Sequence, residues 1–318
     1  MKMRFLVFAL VLTALVCGAA ASDEPVMRVE WRFEPDPEEG RWTATSDVTD
    51  LRMAGGLLIG KATGENAAIT SSRFSFRPNF YDVVEMMIMV ENAGEARLSW
   101  SESADNPEGG FTSAKKATFY VSPDANQPVR VYPFWHKDDE IQQIRLHLPE
   151  GEFRIAMLRI RKQIEPIAPV SQMHNWRTVS SLRDWNLLQG DAVRLMGAGI
   201  PALTISRQAI IASPTLRVSS DLNKAVSVRM RVSDGKTAAL GWVTSERNGI
   251  HFIPFDIKAD GEMHTYTIDL SESKEWADQI RLITLKPSDA PEAEVAIESV
   301  SIKPNVEAEP LGHHGHHH

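Results

Sequence analysis

The eight tryptophans of this chain fall into two sets of four with nearly the same spacing. The first set is Trp31, Trp42, Trp100 and Trp135, and the second is Trp176, Trp185, Trp242 and Trp276. The distance along the chain from each member to its counterpart is almost constant. Because tryptophan is rare, four near-equal separations indicate an internal repeat, and therefore two copies of one domain.

Shorter segments follow the same register. Residues 153–160 correspond to residues 295–302 at the spacing that also relates Trp100 to Trp242. The Ile-Arg-Leu tripeptide at 144–146 matches a second one at 280–282. The two tripeptides are separated by slightly fewer residues than the other matched positions. We therefore expect the second copy to be shorter just before this point, with the difference placed in loops between retained strands.

Residues 1–21 are predicted to be a signal peptide. Lys2 and Arg4 precede an apolar run over residues 5–16, which is too short to cross a bilayer as a helix. Small residues at 19–21 favour cleavage before Ser22. We therefore expect an exported chain, periplasmic or extracellular, that is soluble after cleavage.

Cys17 is the only cysteine, and it lies inside the predicted signal peptide. Lipidation at Cys17 is not expected, because Val16 is a poor residue to precede a lipidated cysteine. A mature chain without cysteine excludes disulfides, thiolate catalysis and cysteine-based metal sites. Export without disulfides favours a bacterial periplasm or exterior over a eukaryotic secretory route.

The formal net charge of −8 disfavours a nucleic-acid partner, whose phosphates call for a basic surface. No later apolar stretch is long enough to be a transmembrane segment of the mature chain. Residues 305–318 are predicted to be a disordered, histidine-rich tail. Imidazole clusters bind transition metals, so the tail is either a metal site or an extension without that role. Its histidines are His313, His314, His316, His317 and His318.

Strand patterns dominate the rest of the chain. Residues 225–232 and residues 265–270 alternate apolar and polar side chains, as a strand with one buried face does. Many short strands separated by turn residues predict an all-β fold of two tandem β-sandwiches, or jelly rolls. The spacing of apolar residues over 295–302 also predicts a slip or bulge within the last strand.

The predicted sandwiches span residues 22–163 and 171–304. Residues 164–170 join them, and Pro166 and Pro169 in this segment favour a stiff, extended linker. Each repeat is long enough to bury a core of its own without disulfides.

Three segments near the end of the second copy follow one another in a recognisable order of strands. They are GEMHTYTIDL at 261–270, WADQIRL at 276–282 and VAIESVSI at 295–302. The series resembles the closing strands of galactose-binding-like β-sandwich modules, the jelly rolls that include many carbohydrate-binding modules. Ala277 stands where that family usually has glycine, and the first copy departs further, with QPVRVY at 127–132. The resemblance implies glycan binding, fastening of enzymes to polysaccharide, or protein contacts at a cell surface.

Trp100 and Glu102 lie on one predicted strand, and Trp242 and Glu246 lie on its counterpart. An exposed indole ring stacks on the C–H groups of a sugar, while a neighbouring carboxylate accepts hydroxyl hydrogen bonds. These four residues are therefore candidate ligand-binding residues. The alternative is that both tryptophans pack in the core between the sheets.

Other candidates lie in polar, loop-like segments. Trp135 and Trp276 are either exposed platforms for a sugar or pins that hold a loop on the sandwich. His264 is either a hydrogen-bond donor to a sugar hydroxyl or a turn histidine without a role. The carboxylates at 138–140 either ligate Ca²⁺ or form a solvated acidic loop.

No nucleophile elbow, zinc-protease motif, P-loop or dinucleotide fingerprint occurs in the sequence. The leading hypothesis is a secreted, non-catalytic protein that requires no cofactor and recognises glycan or polysaccharide through two modules. The alternative is a structural or assembly protein of the cell envelope or extracellular matrix that contacts a cell-surface protein. A third hypothesis is a polysaccharide-active hydrolase or lyase whose carboxylates converge only in the fold. Exposed tryptophans favour the first hypothesis, and buried ones favour the second.

Overall fold

The computed structural model describes residues 26–34, 41–103, 110–123, 128–163, 175–177, 185–195, 199–206 and 209–304. All regular secondary structure in these ranges is β-strand. The predicted signal peptide, linker and histidine-rich tail lie outside the described residues. Within the described part of the chain there is no helix of the length and apolarity that a membrane span needs.

The first sandwich consists of two antiparallel sheets. Sheet A has the strand order β3-β4-β11-β6-β9, with β1 also paired to β11, and sheet B has the order β2-β5-β10-β7-β8. The strands are β1 (Val26–Trp31), β2 (Thr43–Ser46), β3 (Val48–Ala54), β4 (Leu57–Ala62), β5 (Ala68–Thr70), β6 (Asp82–Val90), β7 (Gly94–Ser101), β8 (Phe111–Val121), β9 (Val129–Val131), β10 (Gln143–His147) and β11 (Gly151–Lys162).

The second sandwich repeats this plan. Sheet C has the order β14-β15-β23-β18-β21, with β12 paired to β23, and sheet D has the order β13-β16-β22-β19-β20, with β17 paired to β22. The strands are β12 (Asn175–Arg177), β13 (Asn186–Gln189), β14 (Ala192–Leu195), β15 (Ala202–Ser206), β16 (Ile210–Ala212), β17 (Val218–Ser219), β18 (Asn223–Val232), β19 (Thr237–Thr244), β20 (His251–Asp256), β21 (His264–Asp269), β22 (Gln279–Lys286) and β23 (Glu292–Pro304).

The strand orders of sheets A and C match, as do those of sheets B and D. The registers match as well, because Val84 pairs with Ile160 in the first copy and Val226 pairs with Ile302 in the second. Both members of the second pair follow their counterparts at the spacing that relates Trp100 to Trp242. The predicted all-β fold of two tandem β-sandwiches is confirmed.

The closing strand of each sandwich carries a β-bulge at the same place. In β11 the register shifts between Ile155 and Met157, and in β23 it shifts between Ile297 and Ser299. The bulge predicted within the last strand is confirmed. An extra residue at this point bends the strand and increases its twist, which helps the two sheets to curve around a core.

One sequence correspondence is wrong. Trp100 pairs with Ile144 across sheet B, and Trp242 pairs with Ile283 across sheet D, so Ile283 is the structural counterpart of Ile144. The Ile-Arg-Leu tripeptide at 280–282 therefore begins too early in the strand to be the true match. Strand β22 carries aliphatic residues at 280, 282, 283 and 285, so a short apolar match fits it in more than one register.

Each sandwich encloses its own core, and the tryptophans are at the centre of both. They form four edge-to-face pairs with ring centroids 5.4 or 5.5 Å apart, an arrangement that adds to the free energy gained by burial. The tryptophan spacing therefore records a repeated packing motif. The pairs are Trp31 with Trp42, Trp100 with Trp135, Trp176 with Trp185, and Trp242 with Trp276.

Loops at one end of the first sandwich pack on the outer face of sheet D. Phe80 and Phe134 form a third apolar cluster with Ala212, Val243 and Leu282 of the second sandwich. This contact buries on sheet D the face that would otherwise be in water, so the two sandwiches meet through a hydrophobic interface.

Hydrogen bonds surround this cluster. His136 Nε2 lies 3.0 Å from the carbonyl oxygen of Thr244, and the Gly249 N–H donates to the carbonyl oxygen of Phe134 at 2.9 Å. At the rim, Lys137 Nζ lies 2.9 Å from a carboxylate oxygen of Glu246. These bonds are directional and fix how the second sandwich sits on the first.

Candidate functional site

The four tryptophans proposed as sugar platforms are buried. Trp100 and Trp135 are 0% exposed, Trp242 is 1% exposed and Trp276 is 2% exposed. The expectation that they stack on sugar is therefore wrong for this structure, because no ring face is available to a ligand. In β7 and β19 the tryptophans occupy the positions that point between the sheets.

The indole N–H groups of these tryptophans also have partners. Trp135 donates to Asp82 Oδ2 at 2.8 Å, and Trp276 donates to the carbonyl oxygen of Asn223 at 2.6 Å. Buried indoles need such partners, since an unpaired N–H in an apolar core costs free energy. Trp135 and Trp276 therefore pin loops to the sandwich, the alternative considered from the sequence.

The two candidate carboxylates hold loops rather than line a groove. Glu102 accepts a hydrogen bond from the Asp139 N–H at 2.7 Å and pairs with Lys115. Glu246 pairs with Lys137 across the two sandwiches. Neither carboxylate lies beside an exposed aromatic ring of the predicted kind, so the tryptophan–carboxylate site is not formed.

His264 lies on β21 in sheet C, away from the tryptophan strand of sheet D. Its Nε2 is 2.8 Å from both carboxylate oxygens of Asp260. A backbone hydrogen bond from Glu262 and this contact with His264 together lower the pKa of Asp260. The structure therefore places His264 in a turn contact and does not bring it together with the other candidates.

The acidic loop does not converge on a cation position. Asp138 accepts hydrogen bonds from Trp100 Nε1 and Asn248 Nδ2, and Glu140 accepts from Ser75 and Gln142. In the described ranges, no three histidine, cysteine, aspartate or glutamate side chains come together as they would around a metal ion. The tail histidines lie outside the described residues.

The structure shows a polar surface on the outer side of sheet B. Leu98, Trp100, Ile144 and Leu146 point into the core, so the alternate residues of β7 and β10 point outward. We call this surface the polar face. It consists of Thr70, Arg97, Ser99, Lys116, Thr118, Arg145 and His147.

Cross-strand pairing places the polar face in two rows. Arg145 pairs with Thr70 on one side and Ser99 on the other, and Lys116 pairs with Ser99. The second row runs from His147 to Arg97 and Thr118. Thr70 and Ser99 form a buried floor, whereas Lys116 and Thr118 lie at one edge.

The Arg145 side chain is held in place. Its guanidinium carbon lies 4.0 Å from the ring centroid of Phe111, and its Nε donates to Thr70 Oγ1 at 3.0 Å. Stacking on an aromatic ring and a directed hydrogen bond limit the rotamers of a long side chain. A fixed arginine presents its guanidinium group in one geometry, which suits recognition of an anion.

Two arginines of the polar face, Arg97 and Arg145, lie close enough to act on His147. Burial, together with the positive charges of Arg97 and Arg145, lowers the pKa of His147 to about 4. His147 is therefore neutral at pH 7. Neither row contains an acidic residue. Glu95 points outward beside Arg97, just beyond the second row, and acts on Lys286 of the second sandwich.

The equivalent face of the second sandwich has a different composition. By register, Thr284 replaces Arg145, Gly241 replaces Ser99 and Phe252 replaces Lys116. The adjacent part of this face is covered by Phe80 and Phe134 of the first sandwich. The duplicated surface has thus become polar in one copy and apolar in the other.

No protein-family model matches the chain, and no curated protein is similar to it in sequence. Solved structures are similar. The tandem CBM22-1–CBM22-2 domain of Xyn10C from Paenibacillus barcinonensis is 10% identical, with a TM-score of 0.28, over 90% of this chain and 100% of that one. The family 30 carbohydrate-binding module of a Clostridium thermocellum cellulosomal cellulase is 12% identical, with a TM-score of 0.23, over 41% and 91%.

A glycoside hydrolase family 43 arabinoxylan arabinofuranohydrolase from Bacillus subtilis is 7% identical, with a TM-score of 0.32. The match covers 79% of this chain and 53% of the hydrolase. Carbohydrate-binding modules, the class that the closing strands resemble, are thus among the structures to which this chain is similar. Identities and TM-scores this low identify no ligand-binding residue in this chain.

Proposed function

We propose that this chain is a secreted, non-catalytic protein that recognises glycan, and that the polar face of the first sandwich is its binding surface. The observation that carries the proposal is the row of Thr70, Arg145, Ser99 and Lys116 across four neighbouring strands. Hydroxyl and guanidinium groups in a fixed array are suited to the hydroxyl and acid groups of a polysaccharide.

The charge of the face favours an anionic glycan. Arg97, Arg145 and Lys116 are basic side chains, and neither row holds a carboxylate; Glu95, the next outward residue of β7, lies beyond the second row. Arginine binds carboxylate and sulfate groups through paired N–H donors. A polysaccharide with uronic acid or sulfate groups therefore suits the face better than a neutral one.

A non-catalytic role follows from the same composition. Glycoside hydrolysis by the usual mechanisms needs two carboxyl groups on either side of the scissile bond, about 5–10 Å apart. The rows of the polar face contain hydroxyl groups and cations instead. We therefore propose one anionic-glycan surface in the chain, on the first sandwich, in place of two equal modules.

A second candidate function is that of an assembly protein of the cell envelope or extracellular matrix. It is favoured by the burial of the tryptophans, since buried tryptophans provide no sugar platform. In that case the polar face contacts an acidic surface of a partner protein.

An array of glycans tests the first proposal with the mature chain, residues 22–318, in EDTA so that the tail histidines bind no metal, and again with Ca²⁺. We expect binding to uronic-acid or sulfated glycans that weakens as salt is added. The double variant Arg97→Gln/Arg145→Gln should abolish this binding while the protein still folds. Arg154→Gln is the matched control, because it removes an exposed arginine from sheet A.

Binding that survives the double variant would place the glycan elsewhere. A blank array from folded protein would overturn the glycan proposal and leave the assembly role as the better one. Full binding in the double variant and loss in Arg154→Gln would move the site to sheet A.

A further inference from the structure

A cleft lies between the two sandwiches, apart from the polar face. It has a volume of about 280 Å³, just below the range of about 300–1,000 Å³ for drug-sized ligand pockets. Tyr132 and Phe134 line it from the first sandwich, and Asn186, Leu188 and Thr215 line it from the second. A space of this size holds one small ligand, not a folded partner.

The walls of the cleft are aromatic. The rings of Tyr132 and Phe134 are stacked, with centroids 6.2 Å apart and planes at 26°. Phe80 packs edge to face on both Phe134 and Tyr81, with centroids 5.1 Å apart in each case. Phe80 and Phe134 are buried, so they support the two half-buried tyrosine rings of Tyr81 and Tyr132. These tyrosine rings provide the surface on which the C–H face of a flat, partly apolar ligand can stack.

The polar groups of the cleft are neutral. Tyr132 Oη accepts a hydrogen bond from Gln163 Nε2 at 3.1 Å, and burial raises the pKa of Tyr132, so the phenol carries no charge at pH 7. The amide of Asn186 and the hydroxyl group of Thr215 complete the set, whereas the buried Ser213 hydroxyl is held by Pro214 and Ile283. Among the described residues that line the cleft, none is charged.

The cleft is formed before any ligand arrives. The hydroxyl groups of Tyr81 and Thr215 lie 2.6 Å apart and join the two sandwiches beside it. The Gln163 N–H donates to the carbonyl oxygen of Tyr81 at 3.0 Å, which holds Gln163 next to Tyr132. Preformed walls reduce the entropy cost of binding.

We propose that this cleft is a second ligand site, for a neutral saccharide. Stacked aromatic rings beside amide and hydroxyl groups match a sugar ring, which has one C–H face and a rim of hydroxyls. The absence of charge on the described lining distinguishes this ligand from the anionic glycan of the polar face. The ligand class follows from the lining of the cleft alone, so this proposal and the proposed function can fail separately.

The test is saturation-transfer-difference NMR on the full mature chain with neutral methyl glycosides and disaccharides of glucose, galactose, mannose and xylose. We expect at least one to bind. Leu188→Trp, which fills the cleft, should abolish the signal. Tyr132→Phe, which keeps the ring and removes the hydroxyl, should weaken binding about tenfold.

A milder variant guards against loss of folding. Asn186 is exposed, so Asn186→Ala should fold normally and weaken saccharide binding, whereas Asn66→Ala, at an exposed position of the first sandwich, should not. Arg97→Gln/Arg145→Gln should leave neutral saccharide binding intact. The proposal is overturned if no neutral saccharide gives a signal, or if the signal is unchanged in both Leu188→Trp and Asn186→Ala.

Discussion

Trp100 donates a 2.6 Å hydrogen bond from its indole nitrogen to Oδ2 of Asp138. The other oxygen of the same carboxylate accepts a 2.7 Å hydrogen bond from Asn248, in the second sandwich. Burial raises the pKa of Asp138, whereas the hydrogen bonds from Trp100 and Asn248 act to lower it and so favour the ionised carboxylate. One side chain therefore connects the core of the first sandwich to a loop of the second.

The burial of Trp242 gives the first prediction. Trp242→Ala should destabilise the protein by about 3–5 kcal/mol, because it leaves a large cavity beside Trp276. Trp242→Phe keeps a ring in the core and should cost less. Chemical denaturation measures both. A Trp242→Ala protein of unchanged stability that no longer binds glycan would restore a direct sugar contact for this residue.

A buried carboxylate on sheet A gives a prediction with a pH dependence. Glu85 is 1% exposed and pairs with Arg130, Arg159 and Arg161. Burial acts to raise its pKa, but hydrogen bonds from the three arginines outweigh it and lower the pKa to about 2. The unfolded chain binds a proton at Glu85 near pH 4.5, so this stabilisation is present above pH 4.5 and is lost as the pH falls towards 2.

Glu85→Gln should therefore be less stable than the wild type at pH 7 by about 2 kcal/mol. This is less than the full pKa shift implies, because solvent screens the ion pairs that Glu85 makes with the partly exposed Arg130 and Arg159. The difference should shrink as the pH falls from 4.5 to 2. Urea denaturation at pH 7, 4 and 2.5 measures it, with Glu152→Gln, an exposed pair with Arg154, as the control. An equal difference at all three pH values would show that the ionised carboxylate is not the cause.

His147 affects stability in a higher pH range. Its folded-state pKa is about 4, lower than the 6.5 of a free histidine, because of burial and the neighbouring Arg97 and Arg145. Between these two pH values the unfolded chain binds a proton that the folded chain does not. Stability contributed by His147 is therefore complete above pH 6.5 and decreases as the pH falls through 4.

His147→Gln should lose less stability than the wild type between pH 7 and pH 4. Unfolding free energies at these two pH values test this, and NMR titration of the imidazole protons gives the pKa directly. A His147 pKa near 6.5 would contradict the packing described for the polar face.

The repeat, the all-β class and the bulge of the last strand are readable from the sequence because each depends on local spacing. The polar face is not. Arg97, Ser99 and Arg145 alternate with core residues in the sequence, which indicates outward positions, but strand pairing alone places β7 beside β10. The burial of Trp100 also cannot be read from the sequence, because it depends on which face of β7 the opposite sheet covers.

The interface between the sandwiches is also invisible in the sequence. Val243 and Leu282 look like ordinary core residues of a strand, yet they point away from the core of their own sandwich and contact Phe80 and Phe134. A periodic pattern shows which residues are apolar, but it does not show which sandwich covers them.

The divergence of the two copies makes Gly241 a sensitive position. A methyl group at Gly241 would clash with the Thr284 hydroxyl and lie 2.7 Å from a ring carbon of Phe252, although Ser99 occupies the same place in the first copy. Gly241→Ala should therefore destabilise by about 1–3 kcal/mol. Thr284→Ala should restore part of that loss, and a double-mutant cycle in urea measures the coupling. Additive effects would mean that the two positions do not compete for space.

The last prediction concerns the contact between the sandwiches. Val243→Asp places a carboxylate in the apolar cluster formed with Phe80 and Phe134, where desolvating an unpaired charge is costly. Val243 points away from the core of its own sandwich, so water reaches the carboxylate if the two sandwiches separate. We therefore expect the variant to keep its β-sheet signal while the radius of gyration, measured by small-angle X-ray scattering, rises. Val193→Asp is the matched control, since Val193 is 62% exposed, and it should leave the scattering unchanged. A compact Val243→Asp protein of normal stability would show that this cluster does not hold the sandwiches together.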